Sequence, residues 1–430
     1  MIVIPGILGT ELINSKTGET VWPSAFRTEQ EGLPINPDLT ANRDDLVPGR
    51  ILETVRLARL LPEIYVYRDL LEALRRYAGY RDGNWENPSP DDYQDTFYLF
   101  PYDWRKDNVE NARELVRRVE RLKSKLRRPD LKFNVVAHSM GGLIARYASM
   151  YGDADVLGGD GPIQPTWAGA AHISKIVMIG VPNEGSTDAF ASLLEGYSIT
   201  EGLRRRVPLL NKLTAEDIVS TPSVYQLLPH REAVKFLDEN LKPIPIDLYD
   251  ANIWKQYGWS VIYSSPKFRQ RHGQMIGTNG NGDELDAYLA ASLRRARRFH
   301  QALDAVENTS SPVVLLAIGG DCEETLSAPV IMRDPKRNRW VTLTQPREYR
   351  TSSGVKISKK QATAAMYAPG DGRVTRASLL GENLFRVRDT GTGFTLSRYA
   401  VFGCDLHGQL QRNKTIQDNA LTAIVNEVVQ

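Results

Sequence analysis

Apolar residues in this chain gather into short runs rich in β-branched side chains, most of them closing on Gly or Pro and separated by stretches of helical periodicity. Short apolar runs without polar alternation are what strands buried on both faces of a parallel sheet require. Residues 2–4, 96–100, 133–137, 176–180, 313–318 and 396–402 are read as such strands. Between the second and third, residues 109–126 place Ala112, Leu115, Val116, Val119 and Leu122 on one face and charges on the other, the signature of an amphipathic crossover helix. Strand and helix in alternation predict an α/β fold with a mostly parallel, doubly wound sheet.

Two stretches interrupt this alternation. Residues 183–310 are helical and punctuated by proline, too long for a crossover, and are read as a cap domain over the sheet. Its last helix carries Leu285, Leu289, Leu293, Ala296, Phe299 and Leu303 at helical spacing. Within residues 321–368, Val330-Ile331-Met332 and Trp340-Val341-Thr342-Leu343-Thr344 flank a polar turn, which predicts an extra β-hairpin. The core is then residues 1–182 and 311–430. Residues 10–79 have a weaker pattern, with one helix expected over 66–77.

Composition narrows the functional classes. The 54 Lys and Arg nearly cancel the 52 Asp and Glu, so no strong field attracts nucleic acid or an anionic membrane. No apolar run approaches the roughly 20 residues that cross a bilayer, so any membrane contact is expected to be peripheral. The first residues, MIVIPGILGTEL, lack the basic start and small-residue cleavage site of a signal peptide. With only Cys322 and Cys404 available, reduced thiols and a cytoplasmic location are expected. The arginine clusters 204–206 and 294–298 are read first as solvated helix faces, with docking of anionic headgroups or a protein partner as the functional alternative.

The strongest chemical signal is the strand-turn-helix pattern around Ala137-His138-Ser139-Met140-Gly141-Gly142. It is a small-residue variant of the nucleophile elbow, in which a serine sits on a strained turn between strand and helix and tolerates little bulk two positions away. A serine hydroxyl needs a base to take its proton and a carboxylate to fix the tautomer of that base. In such folds the chain order is serine, acid, histidine. Of His172, His230, His272, His300 and His407, only His407 lies in a loop just past a late strand. Asp371, flanked by Gly370 and Gly372, is the expected acid, with Asp321 after Gly319-Gly320 as the alternative. An oxyanion hole needs two N–H donors, here Met140 after the nucleophile and Ile7 in Pro5-Gly6-Ile7-Leu8-Gly9-Thr10. This chemistry calls for no metal and no cofactor.

With the segments Pro101-Tyr102-Asp103-Trp104-Arg105, Gly180-Val181-Pro182-Asn183-Glu184-Gly185-Ser186 and Pro222-Ser223-Val224-Tyr225-Gln226-Leu227-Leu228-Pro229, these motifs in this order resemble the lecithin:cholesterol acyltransferase-like α/β-hydrolases, relatives of lysosomal phospholipase A2 and phospholipid:diacylglycerol acyltransferases. The resemblance implies an α/β-hydrolase fold, a Ser139, Asp371 and His407 triad with donors Ile7 and Met140, and acyl-ester chemistry on lipid-like substrates under a cap. It departs at Ile7, where the phospholipase has a polar side chain, and in lacking the N-proximal disulfide of the secreted members. A lipase or phospholipase A-like hydrolase, with acyl transfer as a related outcome, is the leading expectation. A small-ester carboxylesterase or thioesterase and a non-catalytic binding module on a hydrolase fold are the alternatives. Phe190, Leu193, Leu194, Tyr197, Trp254, Tyr257 and Trp259 in the cap are the candidates for lining an acyl channel.

Overall fold

A computed structural model describes the chain apart from residues 24–31, 56–63, 92, 199–211, 276–281, 306–310, 335–337, 383–395, 403 and 426–430. Its centre is a seven-stranded sheet built from β1 (Ile2–Ile4), β2 (Arg81–Asp82), β3 (Thr96–Leu99), β4 (Phe133–His138), β5 (Ile173–Ile179), β6 (Val314–Gly320) and β7 (Arg398–Phe402). The spatial order is β7-β6-β5-β4-β1-β3-β2, and every neighbouring pair is parallel. Six of these strands coincide with the apolar runs. The seventh, β2, is two charged residues on the edge, and no hydrophobic pattern marks it.

Alternate residues of the central strands belong to different packed layers, as buried parallel strands require. Val135, Ala137, Ile176, Met178, Leu315 and Ala317 face one cluster, shared with α2 (Asn108–Lys125) and α3 (Met140–Tyr151). Val136, Val177, Ile179, Leu316 and Ile318 face the other, closed by Ile416, Ala420 and Ile424 of the last helix, Lys414–Val425. The amphipathic α2 buries Val109, Ala112, Leu115, Val116, Val119 and Leu122, and its first turn is capped by Asp107, which accepts from the N–H of Val109. The fold is thus the α/β-hydrolase sandwich. β1 lies where the strand order reverses, the place at which open α/β sheets form a crevice beyond their carboxyl ends.

Residues 10–51 hold a three-stranded antiparallel sheet (Thr20–Trp22, Thr10–Asn14, Leu46–Ile51) that the weak pattern there did not suggest, and a helix, α1 (Arg68–Arg76), follows. Between β5 and β6 the described residues are mostly helical, from α4 (Thr187–Glu195) to α5 (Asp283–Leu303). The expected hairpin forms from Val330–Asp334 and Arg339–Leu343, but it does not stand alone. Leu237 pairs with Val330, so the insertion and the hairpin share a four-stranded sheet, and Trp259 donates its indole N–H to Thr342 at 2.7 Å.

The cysteines require a correction. Cys322 and Cys404 are not separate thiols but a disulfide, with sulfurs 2.05 Å and Cα atoms 4.9 Å apart. Its cause is register: Gly320 and Phe402 are partners at the ends of β6 and β7, so the residues two beyond each lie side by side. A separation of 82 residues hides this in the sequence. The argument from reduced thiols to a cytoplasmic location falls with it.

Candidate active site

β4 ends at His138 and α3 starts at Met140, so Ser139 alone makes the turn, with φ 52° and ψ −127°. This is a backbone conformation that non-glycine residues avoid and that persists where its surroundings enforce it. Crowding explains the small neighbours. A Cβ on Gly141 would lie 2.4 Å from the carbonyl oxygen of Pro5, and one on Gly6 would lie 2.9 Å from Cβ of Ser139. The elbow and the 5–10 loop therefore touch backbone to backbone, which puts Ile7 on the wall of the pocket that contains Ser139.

His407 opens the 3-10 turn His407–Arg412 that follows β7, and Asp371 follows the strand Tyr367–Gly370. Ser139 Oγ is 2.9 Å from His407 Nε2, and His407 Nδ1 is 2.8 Å from Asp371 Oδ2. The backbone N–H of His407 also donates to the carbonyl of Asp371 at 2.8 Å, so the two loops are clamped twice. The other carboxylate oxygen of Asp371 accepts from the N–H groups of Arg373 (3.0 Å) and Val374 (2.8 Å). All three side chains are buried. The network assigns the protons: Nδ1–H donates to the carboxylate, leaving Nε2 to accept from the serine hydroxyl.

Of the sequence candidates, the structure thus brings Ser139, Asp371, His407, Ile7 and Met140 to one place. Asp321 stands elsewhere, partly exposed, with its carboxylate 3.7 Å from Arg376. His172 lies 3.5 Å from Glu120, and His230 stacks on His300 with centroids 4.1 Å apart. Two arginines of the α5 cluster are bound within the chain, Arg295 to Asp107 and Asp155 and Arg297 to Asp247, while residues 204–206 lie outside the described residues. Among the described residues no group of three His, Cys, Asp or Glu side chains is placed to hold a metal ion, and no helix is long and apolar enough to cross a membrane.

The pocket is a small cavity of about 40 Å³, mainly apolar beside Ser139, with Ile7, Pro182, Ala189, Val224, Leu227 and Val374 in its wall. It also contains a buried ion pair: Arg373 Nη1 meets Asp188 Oδ2 at 2.6 Å, and the guanidinium covers the ring of Tyr197 at 4.2 Å. Sequence reasoning did not single out this pair. Of the cap residues expected to line a channel, Tyr197 does. Phe190, Trp254 and Trp259 instead stack edge to face on one another, with centroids 4.8–5.8 Å apart, inside the insertion.

The remaining motifs hold the site in place. Tyr102 donates its hydroxyl to the carbonyl of Pro5 at 2.9 Å, and buried Arg105 bridges Asp103 and Asp44. Asn183 joins Arg146 of α3 to the carbonyl of Leu379, and Ser223 donates to the carbonyl of Trp104.

Residues 92–279 match the family model described as lecithin:cholesterol acyltransferase, a span that holds Ser139 but neither Asp371 nor His407. No curated protein matches the chain. A chain of the Tle4–Tli4 complex superposes with a TM-score of 0.58 at 14% identity, over 98% of this chain and 97% of that one. EstA from Clostridium botulinum aligns at 12% identity and a TM-score of 0.36, over 100% of this chain and 88% of its own. The first likeness is one of fold: the chain has the α/β-hydrolase fold, and residues 92–279, less than half of it, are similar to the lecithin:cholesterol acyltransferase family.

Proposed function

We propose that the protein cleaves lipid acyl esters through an acyl-enzyme on Ser139. His407 takes the hydroxyl proton as Ser139 Oγ attacks the ester carbonyl, and Asp371 holds the imidazole in the required tautomer and stabilises its cation. The oxyanion of the tetrahedral intermediate is received by the N–H groups of Ile7 and Met140, the latter at the N-terminus of α3. Collapse of the intermediate breaks the ester C–O bond. His407 returns the proton to the leaving alcohol, and water or a second alcohol then releases the acyl group. Hydrolysis and transfer share every step but the last, and we assign the choice between them to whichever acceptor reaches the acyl-enzyme.

The observation that carries this reading is the unbroken Ser139–His407–Asp371 chain, 2.9 and 2.8 Å, on a serine whose backbone is held at positive φ. Trapping it is the test. Wild-type protein quenched during turnover of an activated ester is expected to carry the acyl group on Ser139, and Ser139→Ala protein to carry none. Acyl label at another residue would sink the assignment, and a folded wild type inert to all esters would favour the binding-module alternative.

One observation favours short acyl groups within that class. The ion pair of Arg373 and Asp188 places charge in the wall of the pocket, and a long alkyl chain gains nothing beside a charge it cannot pair. We assign residues 183–310, with the hairpin that joins their sheet, the role of cap that selects the acyl group.

A further inference from the structure

His138, the residue before the nucleophile, is buried and takes no part in the triad. Its ring nevertheless closes a chain of hydrogen bonds from one side of the site to the other. The N–H of Gly6 lies 2.7 Å from the hydroxyl of Tyr67, that hydroxyl lies 2.8 Å from His138 Nδ1, and His138 Nε2 lies 3.2 Å from the backbone carbonyl of His407. The two ends fix every proton between them. An amide N–H can only donate and a carbonyl can only accept. Tyr67 therefore accepts from Gly6 and donates to Nδ1, and the single proton of the imidazole sits on Nε2, facing His407.

Three further observations show this chain to be rigid and uncharged. Burial pushes the His138 pKa down to about 3, so the ring is neutral, and burial raises that of the Tyr67 phenol, so the hydroxyl keeps its proton. Tyr67 packs edge-on against His138 with centroids 5.7 Å apart, and His138 lies 4.9 Å from the ring of His407. Gln411, on the same turn as His407, donates to the carbonyl of Val66 at 2.8 Å, which fastens that turn to the residue before Tyr67.

We propose that Tyr67 and His138 are positioning residues that set the spacing between the oxyanion loop and the general base. The inference rests on the reading of Ser139, His407 and Ile7 given above. Gly6 precedes the Ile7 donor and the carbonyl belongs to His407 itself, so one neutral chain ties the donor for the developing oxyanion to the base that becomes a cation in the same step. Neither residue touches the reacting atoms. Their effect is to hold fixed a distance on which the transition state depends more than the ground state does.

The test is a kinetic cycle on the full-length protein with one soluble activated ester. Tyr67→Phe deletes the central hydroxyl and keeps the ring, and His138→Leu deletes both nitrogens. Each is expected to lower kcat by about tenfold to a hundredfold while KM changes by less than about threefold, because misplacement on the ångström scale acts on the transition state. The double variant should be no slower than the slower single one, since each breaks the same chain. His138→Gln, which offers one acceptor and one donor, should recover most of the kcat lost in His138→Leu.

Three results would overturn the proposal: wild-type kcat in Tyr67→Phe, losses that multiply in the double variant, or His138→Gln no better than His138→Leu. If Tyr67→Phe does not fold, the ratio of the two His138 variants decides the matter. Failure of the underlying reading looks different, because Ser139→Ala would then remain active. A dead Ser139→Ala beside an unimpaired Tyr67→Phe contradicts the positioning role alone.

Discussion

The molecule contains two buried histidine pairs, each beside an aspartate, and only one of them sits at the pocket. His138 and His407 lie 4.9 Å apart, with Asp371 Oδ2 2.8 Å from His407. His230 and His300 stack at 4.1 Å, with Asp304 Oδ2 3.0 Å from His230. The residue types and distances are nearly alike. The first pair, however, has a hydroxyl 2.9 Å from its free nitrogen and a cavity in front of it. Against the second stand cations, with Arg231 Nε 2.9 Å from Asp304 and Arg146 donating to the carbonyl of Leu303 one residue before it. That arrangement ties α5 to α3 and to the loop after Leu228. A histidine–aspartate pair is therefore not a site by itself; the nucleophile and the cavity make it one.

The largest expected effect breaks the first pair's advantage outright. Ser139→Ala should cost about four orders of magnitude or more in kcat, with circular dichroism unchanged, as removal of a nucleophile does elsewhere. Asp371→Asn should cost nearly as much. Its amide oxygen can keep the N–H groups of Arg373 and Val374, so its NH2 faces Nδ1 and forces the ring proton onto Nε2, toward Ser139. Asp321→Asn should stay within about twofold in the same assay, because Asp321 faces Arg376 and not the histidine; a larger loss there than in Asp371→Asn would reverse the assignment of the acid.

A middle-sized effect concerns the pocket. Replacing the ion pair as a unit, Asp188→Leu with Arg373→Met, should raise the ratio of long-chain to short-chain ester turnover by about tenfold, the worth of about one methylene in an apolar pocket. Either single change removes one partner of a buried ion pair and should cost about 3–5 kcal/mol of stability. An acyl-length profile unmoved by the double change would remove the ion pair from selectivity.

The second pair should show itself in pH and not in rate. Burial holds His300 well below the ordinary histidine range, with His230 and Arg146 adding repulsion, and His138 is likewise neutral in the fold. Once unfolded, both bind protons below about pH 6.5. Stability is therefore full above that pH and falls toward pH 3, by on the order of 1 kcal/mol per pH unit for each ring. His300→Phe should flatten that acid slope in denaturant titrations while kcat at neutral pH is unchanged. An unaltered slope would mean that another group carries the acid sensitivity.

What could be read from the sequence depended on how far apart the partners lie along the chain. The elbow is local: six residues specify strand, turn and helix, and Ser139 could be named from them alone. His407 and Asp371 were accessible through chain order, since a late strand and a glycine-flanked turn leave few alternatives. The Cys322–Cys404 bond, the edge strand Arg81–Asp82 and the pairing of Leu237 with Val330 arise from register between distant segments, which no local pattern encodes. Which aromatics of the 183–310 insertion pack together and which line the pocket was not legible for a related reason. Apolar content shows that Phe190, Trp254 and Trp259 are buried, but not whether against one another or against a substrate.

The central claim is that Ser139 is a nucleophile because His407, oriented by Asp371, takes its proton. The rate at which a fluorophosphonate modifies the protein, followed by intact mass and localised by peptide mapping, measures this directly. The account predicts a single adduct on Ser139, formed at the wild-type rate in Asp321→Asn and His300→Phe, slowed by orders of magnitude in Asp371→Asn, and absent in Ser139→Ala. An adduct on another residue, or labelling of Ser139 that Asp371→Asn leaves as fast as in wild type, would contradict it.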